Sequence, residues 1–444
     1  MIRVPGKRPT EAELRAMAER AQALLHKHSP GEKFFFPLTT GPAEIPPHCL
    51  REIETAGPSV VAFFHAANRI FKEVPWVRPL LEKRYHPNYR RLNDAQPDAI
   101  PWNPRPDIVP DENWNPKFVE LEITVAGRAE GAPLNILYGT PPRCTSAHLY
   151  KEMLDRRGIA DRPLALIAAY HPAYPEIGYD ARCFVSVLRE IGVNIEAILD
   201  EDLPYLSYRN GRLKCLRPGH AFEFTHFDRL IDIFEIAELA HAGMRPLLDA
   251  YLDGAATDVN TCKQFLDEKI WLALFWDPRL EADWRRHLPE EALTQLRRVL
   301  PFTAFLTEDT KVPLGGKWVP AIRLADVPAD ERRFITKESG TSETAAAAQS
   351  FRVLREMDKK QAREHLRTIV NIGPPSILQE LVESARVEFD AYDPEKGEFM
   401  HRENARVKMT AFYIDGTLGD LLFISSNKQV AVHDADYMET LVSR

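Results

Sequence analysis

Two acidic residues in one short run of the sequence have the spacing of a divalent-metal site. Glu120 and Glu122 lie two residues apart in the strand-like run KFVELEIT. Residues two apart in a strand project from the same face, so these carboxylates would lie about 7 Å apart along the backbone and repel one another without a cation between them. Val119 and Leu121 are expected to point the other way, into a core.

Mg²⁺ is the expected occupant of this pair. It takes oxygen ligands, and proteins commonly hold it through one or two carboxylates together with substrate phosphates. Asp107, on the preceding loop, could reach the same ion, and Arg105 could neutralise charge on the phosphate oxygens. The alternative interpretation is an edge strand with a solvated acidic face. If the acids repel, neutralising Asp107 or Glu120 is expected to raise the melting temperature without metal.

Lysines later in the chain have contexts that suit phosphate contact. Lys337 ends the strand-like run RRFITKESG, before a loop of small residues. Lys269 lies in FLDEKIWLALFW, which has the spacing of an amphipathic helix. Taken alone, each is explained more simply as a surface charge. Arg406 and Lys408 alternate along a late strand and could join them, although surface charge is again the simpler interpretation.

A further run, PPSILQELV, suits the binding of a purine base. The chain from Gln379 through Glu380 and Leu381 to Val382 could hydrogen-bond an adenine edge, with apolar neighbours covering the ring. A strand of this kind is weak evidence by itself. Its value comes from its position after the phosphate-binding lysines.

In this order along the chain, the motifs resemble those of ATP-grasp ligases of the glutathione synthetase and glutathionylspermidine synthase type, whose ATP-grasp domain is circularly permuted. In that group an R-x-D and an E-x-N motif come early, and the ATP-binding lysines and adenine hinge come late. Here RPD at 105–107 and VELEIT at 119–124 match the early motifs, with Glu122 where the family has asparagine. RRFITKESG and PPSILQELV match the late ones. The likeness covers roughly residues 100 to 444.

The resemblance implies an α/β chain with α+β elements and a circularly permuted ATP-grasp-like fold. It implies an ATP- and Mg²⁺-dependent carboxylate–amine ligase that forms an amide bond through an acylphosphate and releases ADP and phosphate. The implied site has metal ligands Asp107, Glu120 and Glu122, catalytic Arg105, phosphate-binding Lys269 and Lys337, and an adenine hinge of Gln379, Glu380, Leu381 and Val382.

Two departures from the family pattern keep other functions open. The loop after Lys337 has one glycine, Gly340, where the family tends to have several that let backbone N–H groups approach phosphate. Glu122 adds a negative charge to the metal site. One alternative is therefore a catalytically silent nucleotide-binding scaffold or regulatory subunit. Another is a small-molecule kinase on the same fold.

The resemblance also implies a small carboxylate and a small amine as substrates, bound by the N-terminal region and a βαβ domain. RPLALIAAY, DARCFVSVLREIG and VNIEAIL have the patterns of a buried strand, a helix and a second strand. Ligands favour the carboxyl ends of parallel strands. The loop after the first strand carries His171, Tyr174, Tyr179 and Arg182, which are candidates for substrate contact.

These patterns divide the chain into four parts. They are an N-terminal helical region at 1–93, the metal-binding part of the ATP-grasp domain at 94–159, the βαβ substrate-binding domain at 160–255 and the ATP-binding part at 256–444. Thr10 and Glu13 form a capping box that predicts a helix to about His28. Residues 94–116 predict an irregular connector, and the runs at 227–241 and 262–276 predict helices.

Composition limits the remaining classes. The 444 residues carry a net charge of −8, which argues against a nucleic-acid partner. The five cysteines include no C-x-x-C pair and indicate reduced thiols, with Cys144 in PPRCTS as a weak alternative nucleophile. The N-terminus lacks the apolar core of a signal peptide, and no run is long enough to span a membrane, so a cytoplasmic protein without a membrane partner is expected. A homodimer is expected only by analogy with related enzymes.

Overall fold

The computed structural model describes residues 2–3, 9–28, 37–83, 85, 87–123, 134, 138, 146–168, 176–229, 242–340, 350–426 and 437–442. The helices in these ranges are α1 Glu11–His28, α2 Pro47–Glu73, α3 Val77–Leu81, α4 Pro87–Ala95, α5 Ser146–Arg156, α6 Glu176–Glu190, α7 Arg245–Leu252, α8 Ile270–Phe275, α9 Glu281–His287, α10 Glu290–Val299 and α11 Lys359–Ile372. None of these helices is both long and apolar enough to cross a membrane.

The strands of the described ranges form a mixed α/β structure with several sheets. They are β1 Ile2–Arg3, β2 Arg105–Pro110, β3 Pro116–Glu122, β4 Leu164–Ala168, β5 Ile195–Leu199, β6 Leu206–Arg209, β7 Arg212–Arg217, β8 His220–Glu223, β9 His226–Arg229, β10 Thr257–Asp258, β11 Thr303–Phe305, β12 Lys311–Leu314, β13 Lys317–Pro320, β14 Phe334–Glu338, β15 Arg352–Val353, β16 Ser376–Glu380, β17 Arg386–Asp393, β18 Glu398–Ile414, β19 Thr417–Ser426 and β20 Tyr437–Leu441.

The largest sheet joins the two ends of the chain. Its late strands run in the order β17-β18-β19-β20, and the early strand β2 pairs with β18 and with β3. Asp107 lies opposite Thr410 across β2 and β18. One face of β18 is apolar, because Val407, Met409 and Ala411 are buried at alternate positions. The other face is therefore free to carry polar side chains.

Helix α2 covers the apolar side of this sheet. The hydroxyl of Tyr413 donates a hydrogen bond to the carbonyl oxygen of Ile53 at 2.5 Å. Gly57 meets the turn between β18 and β19 so closely that a Cβ there would lie 2.1 Å from the carbonyl oxygen of Gly416. The turn residues Asp415 and Gly416 have positive φ, as a tight Asp-Gly hairpin turn requires.

A second sheet is parallel, with strand order β10-β9-β4-β5, and contains the predicted βαβ unit. β9 pairs with β4 at a place where the sequence predicted a helix over 227–241. That prediction is wrong for residues up to Arg229, and residues 230–241 lie outside the described part. The apolar spacing that indicated a helix comes from the later residues, whereas Asp228 and Arg229 are buried in polar contacts that periodicity does not reveal.

A third sheet, β11-β16-β14-β15, is antiparallel throughout. It has its own small core, formed by Leu306, Val312, Ala321, Leu324, Phe334, Leu354, Leu366 and Leu378. Helix α11 contributes Leu366 and begins at a capping box, in which the side chains of Asp358 and Gln361 each accept a hydrogen bond from the other's backbone N–H. The predicted Thr10–Glu13 box at the start of α1 is confirmed.

The predicted irregular connector at 94–116 is wrong for residues 105–110, which form β2. Two prolines made a strand look unfavourable there. Pro106 and Pro110 occupy the second and last positions of β2, and the strand pairs with β18 only through Asp107 and Ile108. The ladder therefore tolerates the missing proline N–H groups.

Candidate functional site

The three predicted metal ligands come together on the β2–β3 hairpin. Pairing of these strands sets Asp107 opposite Glu120 and Arg105 opposite Glu122. One carboxylate oxygen from each of Asp107, Glu120 and Glu122 lies within 4.8 Å of the others. Hard oxygen donors at this separation suit Mg²⁺. The role of the group as a metal site stays a prediction.

A β-bulge at Val119 shapes the hairpin. The pairing moves from Asp107–Glu120 directly to Ile108–Phe118, so Val119 is an extra residue on β3. The prediction that Val119 points into a core is therefore wrong, because the bulge breaks the two-residue alternation. Val119 is half-buried, whereas Leu121 is buried as predicted.

The bulge frees the carbonyl oxygen of Val119 from the strand ladder. Lys337 Nζ donates to it at 3.1 Å, and Gln379 Nε2 donates to it at 3.2 Å. Both donors belong to the antiparallel third sheet, on β14 and β16. One irregular residue of the early chain thus receives both the predicted phosphate lysine and the predicted hinge residue.

Every acid of the group has a basic partner. The pairs are Lys269 Nζ to Glu120 Oε1 at 2.6 Å, Lys337 Nζ to Glu120 Oε2 at 3.9 Å, Lys408 Nζ to Asp107 Oδ2 at 2.7 Å, and Arg105 to Glu122. Thr410 also donates to Asp107 Oδ1 at 2.8 Å. The site therefore holds three carboxylates among four cations rather than three unshielded acids.

The charges fix the ionisation of the acids. Burial opposes ionisation of Asp107, but Lys408 and Arg105 outweigh it and lower its pKa to about 2. Burial likewise opposes ionisation of Glu120, while Lys269 and Lys337 lower its pKa. Both carboxylates are negatively charged at neutral pH, which a metal ligand requires.

Lys269 reaches the site from the connection between two short helical segments and not from the face of one continuous helix. The predicted continuous helix over 262–276 is instead a short 3₁₀ turn, Gln264–Asp267, followed by α8, with Lys269 as the residue before α8. Glu268 holds this connection in place, since its carboxylate accepts hydrogen bonds from the hydroxyl of Tyr85 at 2.6 Å and from the hydroxyl of Ser339 at 2.5 Å. These long-range bonds outweigh the local helical periodicity.

The predicted hinge is only partly a strand. Gln379 is fully buried in β16, where Nε2 also donates to Thr303 Oγ1 at 3.2 Å, and its Oε1 has no partner among the described residues. β16 ends at the exposed Glu380, and Leu381 and Val382 follow it half-buried. The backbone N–H of Glu380 bonds Phe302, so this N–H is already engaged.

The end of β3 is clamped against the parallel sheet. Asn260, just after β10, donates from Nδ2 to the carbonyl oxygen of Ile123 at 2.5 Å. The backbone N–H of Ile123 donates to Asp267 Oδ1 at 2.6 Å. At the carboxyl end of β9, Arg229 pairs with Asp258 at 2.9 Å. The acidic hairpin, itself part of the largest sheet, thus lies next to both the parallel sheet and the antiparallel sheet β11-β16-β14-β15.

The predicted substrate residues are largely outside the described part. His171 and Tyr174 lie there, and so does the side chain of Tyr179, although its backbone belongs to α6. Arg182 lies on α6, where it pairs with Glu201 at 3.2 Å. Cys144 and residues 341–349 of the loop after Gly340 are also outside the described part.

Sequence reasoning undervalued Lys408 and missed the clamp on Ile123. The signal for Lys408 was present, because Arg406 and Lys408 alternate with buried apolar residues on one strand. The pairing of that strand with β2 was not readable, since more than 290 residues separate Asp107 from Lys408. Asn260 and Asp267 gave no recognisable motif.

No known family model matches the chain, and no curated protein matches it. Among solved structures, it is similar to a glutathione synthetase-like effector from Globodera pallida in its apo form. That likeness has a TM-score of 0.57 and 13% sequence identity, and it covers 100% of this chain and 99% of the other. It shows a shared fold over the whole length.

A second solved structure is provisionally named a gamma-glutamylcysteine synthetase, from Methylobacillus flagellatus KT. The likeness covers 92% of this chain and 90% of that one, at 10% identity. Its TM-score of 0.41 is too low to bear on the fold.

Proposed function

We propose that this protein is an ATP- and Mg²⁺-dependent carboxylate–amine ligase on a circularly permuted ATP-grasp fold. The observation that carries the proposal is the meeting of early acids and late cations. Glu120 lies within ion-pair reach of both Lys269 and Lys337, and Lys337 shares an acceptor with the hinge residue Gln379. Phosphoryl transfer depends mainly on such positioning and charge neutralisation.

The basic residues of the site suit contact with a triphosphate. Lys269 and Lys337 approach Glu120 from two different elements, and Lys408 approaches Asp107 from a third. Arg105 is held by Glu122 on the neighbouring strand. In the proposed reaction these cations stabilise the negative charge on the transferred phosphoryl group, and the same charges orient the carboxylate that accepts it.

The donor set fits Mg²⁺. Asp107, Glu120 and Glu122 would hold the ion by one oxygen each, with phosphate oxygens completing its shell. A bound Mg²⁺ would supply charge neutralisation of the β- and γ-phosphates. The chain positions these oxygens through the β2–β3 pairing and the contacts of Lys408 and Thr410 with Asp107.

Gln379 supports the proposal of a nucleotide site next to Lys337, since both side chains donate to the carbonyl oxygen of Val119. The Oε1 atom of Gln379 is buried without a partner among the described residues, and an exocyclic amino group of a base could donate to it. The small acid and amine would enter at the carboxyl ends of β9 and β10, which the bond from Asn260 to Ile123 holds against the acidic hairpin.

A catalytically silent scaffold is the second candidate, and one observation favours it. Each carboxylate is already neutralised by a cation, so the group is also compatible with a purely structural ion-pair network. The solved neighbour is itself named an effector that is like glutathione synthetase. A kinase on the same fold differs only in the acceptor, a hydroxyl in place of a carboxylate.

Product analysis separates the three functions. The protein is incubated with ATP, Mg²⁺ and a panel of small acids, with and without amines, and hydroxylamine serves as an amine surrogate that traps an acylphosphate as a hydroxamate. A ligase releases ADP and phosphate with an acid and an amine present, a kinase leaves phosphate on its product, and a scaffold consumes no ATP.

Matched variants tie the reaction to the site. Asp107→Asn and Glu120→Gln are expected to abolish ATP consumption, while Glu112→Gln, an exposed acid at the turn of the same hairpin, is expected to keep it. Full activity of either site variant would remove the metal assignment. Circular dichroism confirms that each variant is folded.

A further inference from the structure

A row of basic side chains extends from the acidic group along the polar face of β18. Lys408 contacts Asp107, and residues two apart on a strand share a face, so Arg406 projects from the same face as Lys408. The intervening Val407 is buried on the opposite face. Four residues of strand separate Arg406 from Thr410, the partner of Asp107, which is about 13 Å.

Arg386 faces Arg406 directly. The two arginines are partners across the antiparallel pair β17–β18, an arrangement that holds Cβ atoms about 5 Å apart on one face. Both side chains are half-buried. Like charges in this position destabilise a sheet. Arg386 also donates to the carbonyl oxygen of Asn404 at 3.1 Å, but this acceptor carries no counter-charge, so an anion would relieve the repulsion between the two guanidinium groups.

A third arginine joins them from the segment before α11. Arg355 pairs with Glu383, which follows the hinge strand β16 by three residues. Burial, Arg386 and Arg355 lower the pKa of Arg406, whereas Glu383 and the exposed Glu356 raise it. The backbone N–H of Val407, next to Arg406, donates to the hydroxyl of Ser384 at 2.8 Å, so Glu383 and its partner Arg355 lie beside Arg406.

We infer that Arg355, Arg386 and Arg406 form an anion subsite for a phosphate group beside the segment that follows β16. Planar guanidinium groups bind phosphate oxygens through paired, charge-assisted hydrogen bonds, and half-burial strengthens them. The phosphate is either free or carried by the ribose of a nucleotide. The inference does not depend on turnover, since it rests on residues about 13 Å along the strand from the carboxylates.

Thermal unfolding gives the first test. In buffer without phosphate, Arg386→Gln and Arg406→Gln are expected to melt at or above the temperature of the unchanged protein, because each removes the like-charge pair. Addition of inorganic phosphate is expected to raise the melting temperature of the unchanged protein and of the control Arg209→Gln, an exposed arginine on β6, but not of the two variants.

Calorimetry without metal identifies the source of the phosphate. The probes are inorganic phosphate, AMP, and adenosine 2′,5′- and 3′,5′-bisphosphate. Binding of inorganic phosphate indicates a free anion, and an advantage of about tenfold for a bisphosphate over AMP indicates a ribose phosphate. Whichever of these two results is observed, we expect it to be lost in both Arg386→Gln and Arg406→Gln.

The same titrations separate this site from the proposed ligase site. Glu120→Gln is expected to keep phosphate or bisphosphate binding even where ATP consumption is lost. Equal binding by the unchanged protein and both arginine variants overturns the inference, as does a failure of every phosphate probe to bind. If one arginine variant does not fold, the other decides the outcome.

Discussion

Lys408 Nζ lies 2.7 Å from Oδ2 of Asp107, and this contact joins one of the last strands of the chain to one of the first. Thr410 holds the other oxygen of the same carboxylate at 2.8 Å. With Lys269 on Glu120 and Arg105 on Glu122, all three acids are paired with cations. A metal ion therefore has to compete with basic side chains for these carboxylates. Once the ion is bound, those side chains need new anionic partners.

Mg²⁺ and nucleotide are expected to bind together. Mg²⁺ alone should bind weakly, because coordination would leave Lys269 and Lys408 without carboxylate partners in a partly buried site. Triphosphate oxygens supply those partners and complete the metal shell. Calorimetry with Mg²⁺, with a non-hydrolysable ATP analogue, and with both measures the difference. Tight binding of Mg²⁺ without nucleotide would contradict the expectation that Lys269 and Lys408 need phosphate oxygens as new partners.

Neutralising Asp107 is expected to destabilise the metal-free protein. The sequence, which shows only neighbouring acids, led to the opposite expectation. In the structure, Asp107→Asn leaves Lys408 without its carboxylate, at a cost of about 1–3 kcal/mol in the free energy of unfolding. Urea unfolding of the single variants and of Asp107→Asn/Lys408→Met gives the coupling energy of the pair. Additive effects would show that the contact is energetically unimportant.

Glu122→Asn introduces the residue that the resembling family carries. Glu122 pairs with Arg105, so its extra charge is offset within the hairpin. We expect this variant to keep ATP consumption within about tenfold of the unchanged protein, because Asp107 and Glu120 keep their carboxylates and their lysine partners, and asparagine still offers one oxygen to the metal. Steady-state assays across Mg²⁺ concentrations measure the change. A loss as complete as that of Glu120→Gln would make the carboxylate itself essential.

Gln379→Leu tests the link between the proposed adenine hinge and the β-bulge at Val119. The substitution keeps the side-chain size but removes the donor to Val119 and Thr303. ATP binding is expected to weaken about tenfold, since the site loses two buried hydrogen bonds and an acceptor for the base. Fluorescence titration with an ATP analogue measures the dissociation constant. An unchanged constant argues against a nucleotide contact at this residue.

Stability should depend on pH through Lys263. Its Nζ donates to Asn68, to Pro97 and to Ala99 at 2.9, 2.6 and 2.7 Å. Burial and the nearby charge of Lys72 lower the pKa of Lys263 to about 7. Asp98 and Asp94 act in the opposite direction but do not outweigh them.

The sign follows from the bound protons. Between about pH 7 and the lysine value of about 10.4 in the unfolded chain, the unfolded state binds more protons, so stability rises with pH in that window. Lys263→Met should remove this rise, about 1–3 kcal/mol over two pH units. Urea unfolding of both proteins below and above pH 7 measures it. Parallel pH profiles would contradict the prediction.

Local patterns determined much of the secondary structure. The capping boxes at Thr10 and Asp358 and the parallel pair β4–β5 follow from side-chain chemistry and periodicity, and the structure contains them. The Asn-Gly turn of the β6–β7 hairpin is also present, with Asn210 and Gly211 at positive φ. The domain limits at 93, 159 and 255 stay predictions.

Predictions failed where long-range pairing outweighed the local pattern. β9 took the place of the start of a predicted helix because β4 offered a parallel partner. The helix predicted across Lys269 is interrupted because the carboxylate of Glu268 accepts hydrogen bonds from Tyr85 and Ser339, which are distant in sequence. In both places, buried polar groups found their partners outside the segment, and periodicity carries no information about such partners.

The sequence by itself determined which acids and bases are available and in what order, because residue type and spacing are local properties. Only the tertiary structure decided that Lys408 neutralises Asp107, that Val119 forms a bulge, and that one carbonyl oxygen receives both Lys337 and Gln379. The physical reason is that strands distant along the chain pair through backbone hydrogen bonds that every residue type except proline can make in full. Their register is set by how the whole core packs and not by any motif within one strand.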